Sequence, residues 1–272
     1  MEGLEVLVER QETDFQNTEP DLDIDYLKNL KETSQVFINK NNFNETDPDF
    51  KEMTEDQFIE YIGSNSNKEI LEFKDNENYT LLLEKFDELN VTEDFRSSMS
   101  QIYHSNKEKS KIFIFFVPTS SQKSNVGIDT IKTFCRLVIL LNCNEGVMIS
   151  EKPLTSKSRE LLESSNVKSF TRENIYNIIS YVDDMFINVV DHCLSPKLLK
   201  IYSGKELESF LEEEQLNPKD LPRMMVSDPI AKFYRARVGD VIMMQRKTGN
   251  KDTLINEQII YRIVVYAIAK KK

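Results

Sequence analysis

The sequence predicts an α+β protein in two parts, an N-terminal α/β domain and a smaller C-terminal mixed α/β domain with a β-hairpin. Three observations carry this. Residues 111–117 (KIFIFFV) form a nearly continuous apolar run ended by Pro118, the pattern of a strand covered on both faces. Strand-like and helix-like segments then alternate, which calls for crossover connections in a parallel layer. Beyond residue 191, two short helix starts lead into two apolar strands joined by a polar loop. The expected divisions are an acidic, mobile lead-in over 1–24, the N-terminal domain over 25–190 and the C-terminal domain over 191–272.

The lead-in has scattered acids and little periodicity, with a short strand expected at 4–8. Leu27, Leu30, Val36 and Phe37 predict a helix over 26–37; Glu55, Phe58, Ile59 and Ile62, after Thr54, predict another. A polar loop is expected over 63–68, a helix over 79–89, and a polar connection from there through Asn106. Between Gly127 and Leu141, Ile128, Ile131, Phe134, Cys135, Val138 and Ile139 make an apolar helix face opposite Asp129, Lys132, Thr133 and Arg136. A strand over 146–150, a helix over 156–162 and a third strand over 167–170 complete the alternation.

In the C-terminal part, Ser203 and Glu206 fit a capping box, with Leu207, Phe210 and Leu211 on the buried face. Asp228 before Pro229 marks another helix start, because Asp caps free N–H groups and Pro has none to leave unpaired; Ile230, Phe233 and Tyr234 share a face. Gly239 and Asp240 turn the chain into a strand over 241–245, and a polar loop around Gly249 and Asn250 leads back through 259–265. No internal repeat is evident, and the frequent asparagines read as compositional.

Composition narrows the chemistry. The 272 residues are 39% hydrophobic and 10% aromatic, enough for real cores. The apolar runs at 137–141 and 263–269, like that at 112–117, fall short of the ~20 residues that cross a bilayer, and the acidic N-terminus does not read as a secretory signal. Cys135, Cys143 and Cys193 make an odd count without a CxxC, pointing to reduced thiols in an intracellular compartment. With only His104 and His192, zinc ligation and His-dependent triads are disfavoured. The seven glycines are never closer than ten residues, which excludes the GxGxxG and GxxxxGK phosphate turns. His192 beside Cys193 reads as a structural histidine, since adjacent strand residues point to opposite faces. Glu151 and Lys152 are adjacent, so the ExK spacing of a Mg²⁺ nuclease is missing. No catalytic residue, metal or cofactor is expected.

The charge of -11 is unevenly spread: residues 1–100 hold 26 acids and 9 bases, the remainder 20 acids and 26 bases. A basic body can approach nucleic acid or an acidic protein surface, whereas the acidic third repels phosphate unless it points elsewhere.

The segment LPRMMVSDPIAKFYRARVGDVIMMQRK, with IIYRIVV after it, resembles the C-terminal assembly module of the fifth subunit of eukaryotic RNA polymerases and of its archaeal counterpart. Leu221, Pro222, Arg223, Asp228, Pro229, Ala231, Tyr234, Gly239, Asp240, Val241, Arg246, Tyr261, Arg262 and Val264 carry the match. Upstream, Phe115, Phe116, Pro118 and residues 126–135 (VGIDTIKTFC) resemble the strand and helix of the family's N-terminal jaw domain. Ile187, Asn188, Val189, His192, Leu194 and Pro196 resemble its junction with the assembly domain. The likeness spans about residues 110–266; the jaw is enlarged and divergent before about 110.

The resemblance implies a noncatalytic subunit of a multisubunit DNA-directed RNA polymerase, docked on the largest subunit and in contact with other core subunits, its jaw flanking downstream duplex DNA through weak backbone contacts. It implies no membrane and no small-molecule substrate. Interface or assembly residues are then Arg223, Asp228, Pro229, Tyr234, Arg237, Gly239, Arg246, Tyr261 and Arg262; Lys123, Lys132, Arg136, Lys152, Lys157 and Arg159 are candidates for a DNA-proximal margin. Because the archaeal form lacks the jaw, a eukaryotic or large-DNA-virus version is expected, located in the nucleus, or in infected-cell cytoplasm or a virion. The alternative is a stand-alone transcription regulator or adaptor that retains the assembly module. Departures from the family pattern are Arg235 where a glycine is common, a long loop over 247–258, a tail over 265–272, and Thr155-Ser156 in place of a Thr-Pro step.

Overall fold

A computed structural model of the chain describes residues 23–44, 47–65, 94–105, 110–122, 124–167, 177–247 and 257–266. The expected strand at 4–8, the helix at 79–89, most of the 247–258 loop and the end of the tail lie outside them. The fold is α+β, in two compact units, Met1–Ile187 and Asn188–Lys272.

The N-terminal unit is built on a four-stranded sheet in the order β1-β2-β3-β4, comprising Gln101–His104, Lys111–Phe116, Glu145–Ser150 and Asn177–Val182. β1 is antiparallel to β2, and β2, β3 and β4 run parallel. Helices α1 (Ile24–Lys40), α2 (Glu55–Asn65) and α3 (Phe95–Ser98) precede the parallel strands; α4 (Ile128–Leu140) and α5 (Ser156–Val167) lie between them. Alternation sends Phe113, Phe115 and Met148 into one core with Phe134 and Val138 of α4 and Leu162 of α5. The opposite parity, Ile112, Ile114, Phe116 and Ile149, is equally buried, and Phe37 of α1 meets Tyr181 of β4 edge-on. Strand β2 is thus apolar on both sides, as its composition requires. Gly146 lets α4 approach β3, because a Cβ there would lie 2.7 Å from Val138 and 2.9 Å from Phe134.

Several expectations change. The polar connection before Asn106 instead contains α3 and β1; Asp94 caps α3 by accepting from the N–H groups of Arg96 and Ser97, a local signal in a segment with no apolar period. Val167 ends a helix, and the third parallel strand is Asn177–Val182; 168–170 lie outside the described residues. That strand escaped notice because only Ile178 and Tyr181 are fully buried along it, so neither alternation nor a continuous apolar run is visible. Helix α2 runs through Asn65, past the start of the polar loop expected over 63–68. On α4, Thr133 is buried and Ile139 exposed, the reverse of the expected faces, because α4 packs on the sheet through Ile131, Phe134, Leu137 and Val138.

Two buried ionic groups join these layers. The Lys31 ammonium lies 3.3 Å from Asp47 and donates to Met99 O and Gln101 Oε1 at 3.0 and 2.7 Å. Asp47 also accepts from Tyr103, Gln101 and Tyr61. Burial alone would push its carboxyl up, but the charge of Lys31 and these three donors outweigh it and hold the carboxyl below the usual range. Arg96 donates to Asp183 Oδ1 at 2.5 Å and Val117 O at 3.0 Å, at the carboxyl ends of β2 and β4.

The C-terminal unit carries a second sheet, β5-β7-β8-β6, in which β5 is Lys197–Tyr202, β6 Arg223–Met225, β7 Val241–Lys247 and β8 Glu257–Val265. β7 and β8 form the central antiparallel pair; β5 is antiparallel to β7 and β6 parallel to β8. Both faces are covered. α6 (Gly204–Glu213) packs Phe210 with Tyr202, Val241, Tyr261 and Ile263, and the side of α7 (Pro229–Phe233) covers Ile242, Met244 and Val264 with Ala231 and Ala236. Ser203 does precede α6, but its side chain makes no cap hydrogen bond. Gly204 sits at φ +54°, which turns the helix entry away from the hydroxyl, and Glu206 pairs instead with Lys200 at 2.7 Å. Asp228 caps α7 by accepting from Ile230 N–H at 2.9 Å, with Pro229 in the first turn.

Among the described residues, four helices end on a left-handed non-glycine residue: Asn42, Asn142, Gln215 and Arg235, at φ 62°, 52°, 53° and 56°. At each, two N–H groups close back on the last turn, as when Ala236 donates to Ala231 O and Arg235 to Lys232 O. The asparagines at 42 and 142 therefore have a backbone role beyond composition, and Arg235 occupies a position where glycine carries no Cβ penalty.

Arg235→Gly is accordingly expected to leave the C-terminal unit as stable or to raise its stability by up to about 1 kcal/mol, read by urea denaturation. For Asp47, the folded carboxyl titrates below its unfolded value near ~3.9, so its contribution is complete above that value and is lost as pH falls through the folded pKa. Asp47→Ala strands the Lys31 charge and is expected to cost about 3–5 kcal/mol, whereas Lys31→Met with Asp47→Leu costs clearly less; denaturation of the three chains at pH 7 checks this.

Candidate functional site

The residues carrying the polymerase-like assembly pattern all fall in the C-terminal unit, and the structure separates those that shape it from those that face outward. Asp228 and Pro229 start α7. Tyr234 follows the helix, its ring 5.6 Å from Phe233 and its hydroxyl pushed up to about 12 by burial and by the charge of Asp191. Gly239, at φ +99°, makes the turn into β7; its N–H donates to Val264 O, and Val264 N–H donates to Asp240 O, tying the turn to β8. Asp240 closes the turn by accepting from Arg237 N–H at 2.7 Å, while burial pushes its carboxyl up. Tyr261 points toward α6, 5.3 Å from Phe210, and Arg262 lies on the opposite face of β8.

Arg223, Arg237 and Arg246 are exposed or partly so and Arg262 is half-buried; none of the four makes an ion pair among the described residues. They occupy β6, the turn before β7, β7 and β8, so they are not one cluster. Sequence reasoning did not single out Leu199, Met225, Val238 and Ile259 as exposed apolar residues of the same unit, and it placed Leu194 at the junction without foreseeing its exposure. Leu194 is 83% exposed on a turn fixed by its own N–H donating to His192 Nδ1 and by Ser195 donating to Val189 O. His192 is thus a turn residue rather than a strand residue, with its ring nitrogen used by the backbone, and Cys193 beside it is exposed.

In the N-terminal unit, Lys132 and Arg136 are one turn apart on the exposed stripe of α4, Lys132 lying 3.6 Å from Asp129. Lys152 is exposed just after β3, and Lys157 and Arg159 are exposed in the first turn of α5. Lys123 lies outside the described residues. α4 and α5 pack together, and a bridge between Val126 and Leu154 joins the segments entering them. At the carboxyl ends of the parallel strands, Thr119 donates to Glu151 and its N–H to Asp94, and Arg96 and Asp183 pair beside them. These carboxylates are taken up by Thr119, Arg96 and the α3 N-terminus, and no group of three or more potential metal ligands gathers among the described residues.

The family model described as RNA polymerase Rpb5, C-terminal domain, matches residues 187–264. Over 165 residues the chain is 22% identical to the DNA-directed RNA polymerases I, II, and III subunit RPABC1 of Caenorhabditis briggsae, covering 60% of this chain and 71% of that one. It is 24% identical over 155 residues to the corresponding subunit of Dictyostelium discoideum, covering 57% and 72%, and 35% identical over 83 residues to the RNA polymerases IV and V subunit 5B of Arabidopsis thaliana, covering 30% and 36%. The matched residues span the unit built on the β7–β8 pair, with the Asp228 cap and the Gly239 turn inside it, and that stretch of the chain is a C-terminal domain of the fifth-subunit, Rpb5 type.

Proposed function

We propose that this chain is a noncatalytic subunit of a multisubunit DNA-directed RNA polymerase, that its C-terminal unit docks on the largest subunit, and that its N-terminal unit is a jaw flanking downstream duplex DNA. The observation that carries the reading is the coincidence of the Rpb5 C-terminal domain match at 187–264 with one compact unit, Asn188–Lys272. A domain of that size with both sheet faces filled is preformed, so it presents an interface with little ordering cost on binding. Four arginines without internal ion pairs among the described residues fit paired hydrogen bonds to partner carboxylates, and the nearby exposed apolar side chains fit desolvated anchors.

The jaw role rests on the spread of exposed cations over α4, the β3–α5 loop and α5, which suits weak contact with phosphates without base reading. The relatives are subunits of eukaryotic RNA polymerases, which favours the nucleus as the compartment.

Affinity purification through a tag on the full chain is expected to recover the two largest polymerase subunits, with one copy of the chain remaining after a high-salt wash. Substoichiometric recovery would favour a stand-alone regulator, and recovery without those subunits would sink the proposal. Arg223→Ala together with Arg246→Ala should leave the fold intact and lower retention in the polymerase by about 1–3 kcal/mol if each arginine pairs with a partner carboxylate. Lys157→Ala with Arg159→Ala should flatten the dependence of log affinity for duplex on log salt by about 0.9 for each phosphate no longer neutralised.

A further inference from the structure

We infer that Gln122 and Ser150 are positioning residues that hold Lys152 ready for a nucleic-acid phosphate, an inference that rests on the duplex-flanking reading above. Lys152 is exposed, yet both polar groups of its main chain are gripped by buried side chains. Its N–H donates to Gln122 Oε1 at 3.1 Å, and its C=O accepts from Ser150 Oγ at 2.9 Å. Gln122 is 5% exposed, and its amide nitrogen donates to Val117 O at 2.8 Å, at the end of β2; Ser150 is the last residue of β3. The backbone of one surface lysine is therefore fixed from the ends of two parallel strands.

The segments on either side are joined as well. Thr119 Oγ1 donates to Glu151 Oε1 at 2.9 Å, Val126 N–H to Pro153 O at 3.1 Å, Thr155 N–H to Val126 O at 3.2 Å, and Ser158 Oγ to Val126 O at 3.0 Å. The β2–α4 and β3–α5 connections thus form one ledge, with Lys152 on it. The Glu151 carboxylate is turned to Thr119 and lies 3.8 Å from Arg96, so it is directed away from neutralising its neighbour Lys152. A solvated lysine needs none of this, because water satisfies an exposed loop backbone without burying a glutamine. A lysine that meets phosphate gains from it: the loop is ordered during folding and not at the moment of contact, so binding carries less of that entropic cost. The ammonium acts as a point charge and reads no sequence, which matches a contact to duplex backbone.

The test uses polymerase carrying the tagged full-length chain and a duplex of random sequence, with retention measured over a range of salt. Gln122→Met and Ser150→Ala each remove one hold on Lys152, and each is expected to weaken duplex binding about threefold. Neither should weaken it further in a Lys152→Ala chain, and amide exchange at Lys152 should accelerate in Gln122→Met. Equal losses with and without Lys152 would reduce both residues to general fold maintenance and overturn the inference. So would unchanged binding in both variants when Lys152→Ala alone weakens it. If Lys152→Ala has no effect on duplex binding while the polymerase assembles normally, Lys152 makes no phosphate contact and the inference falls with that part of the jaw reading.

Discussion

The C-terminal unit depends on one pairing, the antiparallel register of β7 with β8 from Val241↔Ile263 to Lys247↔Glu257. The rest of the unit attaches to that ribbon: β5 to the outer edge of β7, β6 to the outer edge of β8, and one helix to each face. Because side chains alternate, the ribbon must be apolar on both faces near the Gly239 turn, and Val241, Ile242 and Val264 are fully buried there. A slip of one residue would exchange the Phe210 side for the Ala231 side and place Arg262 among the aromatics. The Gly239 turn guards against that slip, since its N–H and the Asp240 C=O both bond to Val264 at the same rung.

The N-terminal unit solves a different problem, because its layers meet through charge as well as apolar surface. Lys31 and Arg96 are each 1% exposed. Neither is tolerable alone, since an unpaired charge in such a place costs several kcal/mol, about 3–5 for a broken pair. Each is matched to a carboxylate from a distant part of the chain, Asp47 and Asp183, and each also donates to a backbone carbonyl. Hydrophobic packing holds layers together but permits sliding. A carboxylate with three fixed donors, like Asp47, does not. These pairs therefore set how α1 and α3 lie on the sheet.

The parts of this architecture that were legible in the sequence are those whose cause is local. KIFIFFV reads as a doubly covered strand because burial on both faces leaves no polar residue in its middle, and Asp228-Pro229 reads as a helix start because cap chemistry involves two adjacent residues. Strand β4 was hidden because its partly exposed Asn177 and Ser180 break any periodicity, and β1 because its burial depends on β2 and on Lys31 and Asp47 around Tyr103, which no local pattern announces. Helix ends were hidden for another reason. With seven glycines in the whole chain, the usual C-terminal signal is scarce; Asn42 and Asn142 left a trace of it, whereas Gln215 and Arg235 have side chains with no such preference. The family pattern was readable at the turn and cap residues, yet their role in the unit is to build it, and the exposure of Leu194, Met225 and Ile259 left no local trace even though each lies inside a segment that resembles the family.

The same separation bears on how a surface of this kind evolves. Residues that form the β7–β8 pair and its turns answer to internal geometry, so a substitution there lowers stability before any partner is met. Arg235 illustrates how firmly that geometry holds: the left-handed helix end is kept, closed by Arg235 and Ala236 N–H groups, although the residue best suited to that backbone is absent. Outward residues answer only to the partner. The caps, turns and central rungs are therefore where spacing and internal geometry are bound to each other, and they fall inside residues 187–264, the stretch that matches the Rpb5 C-terminal domain.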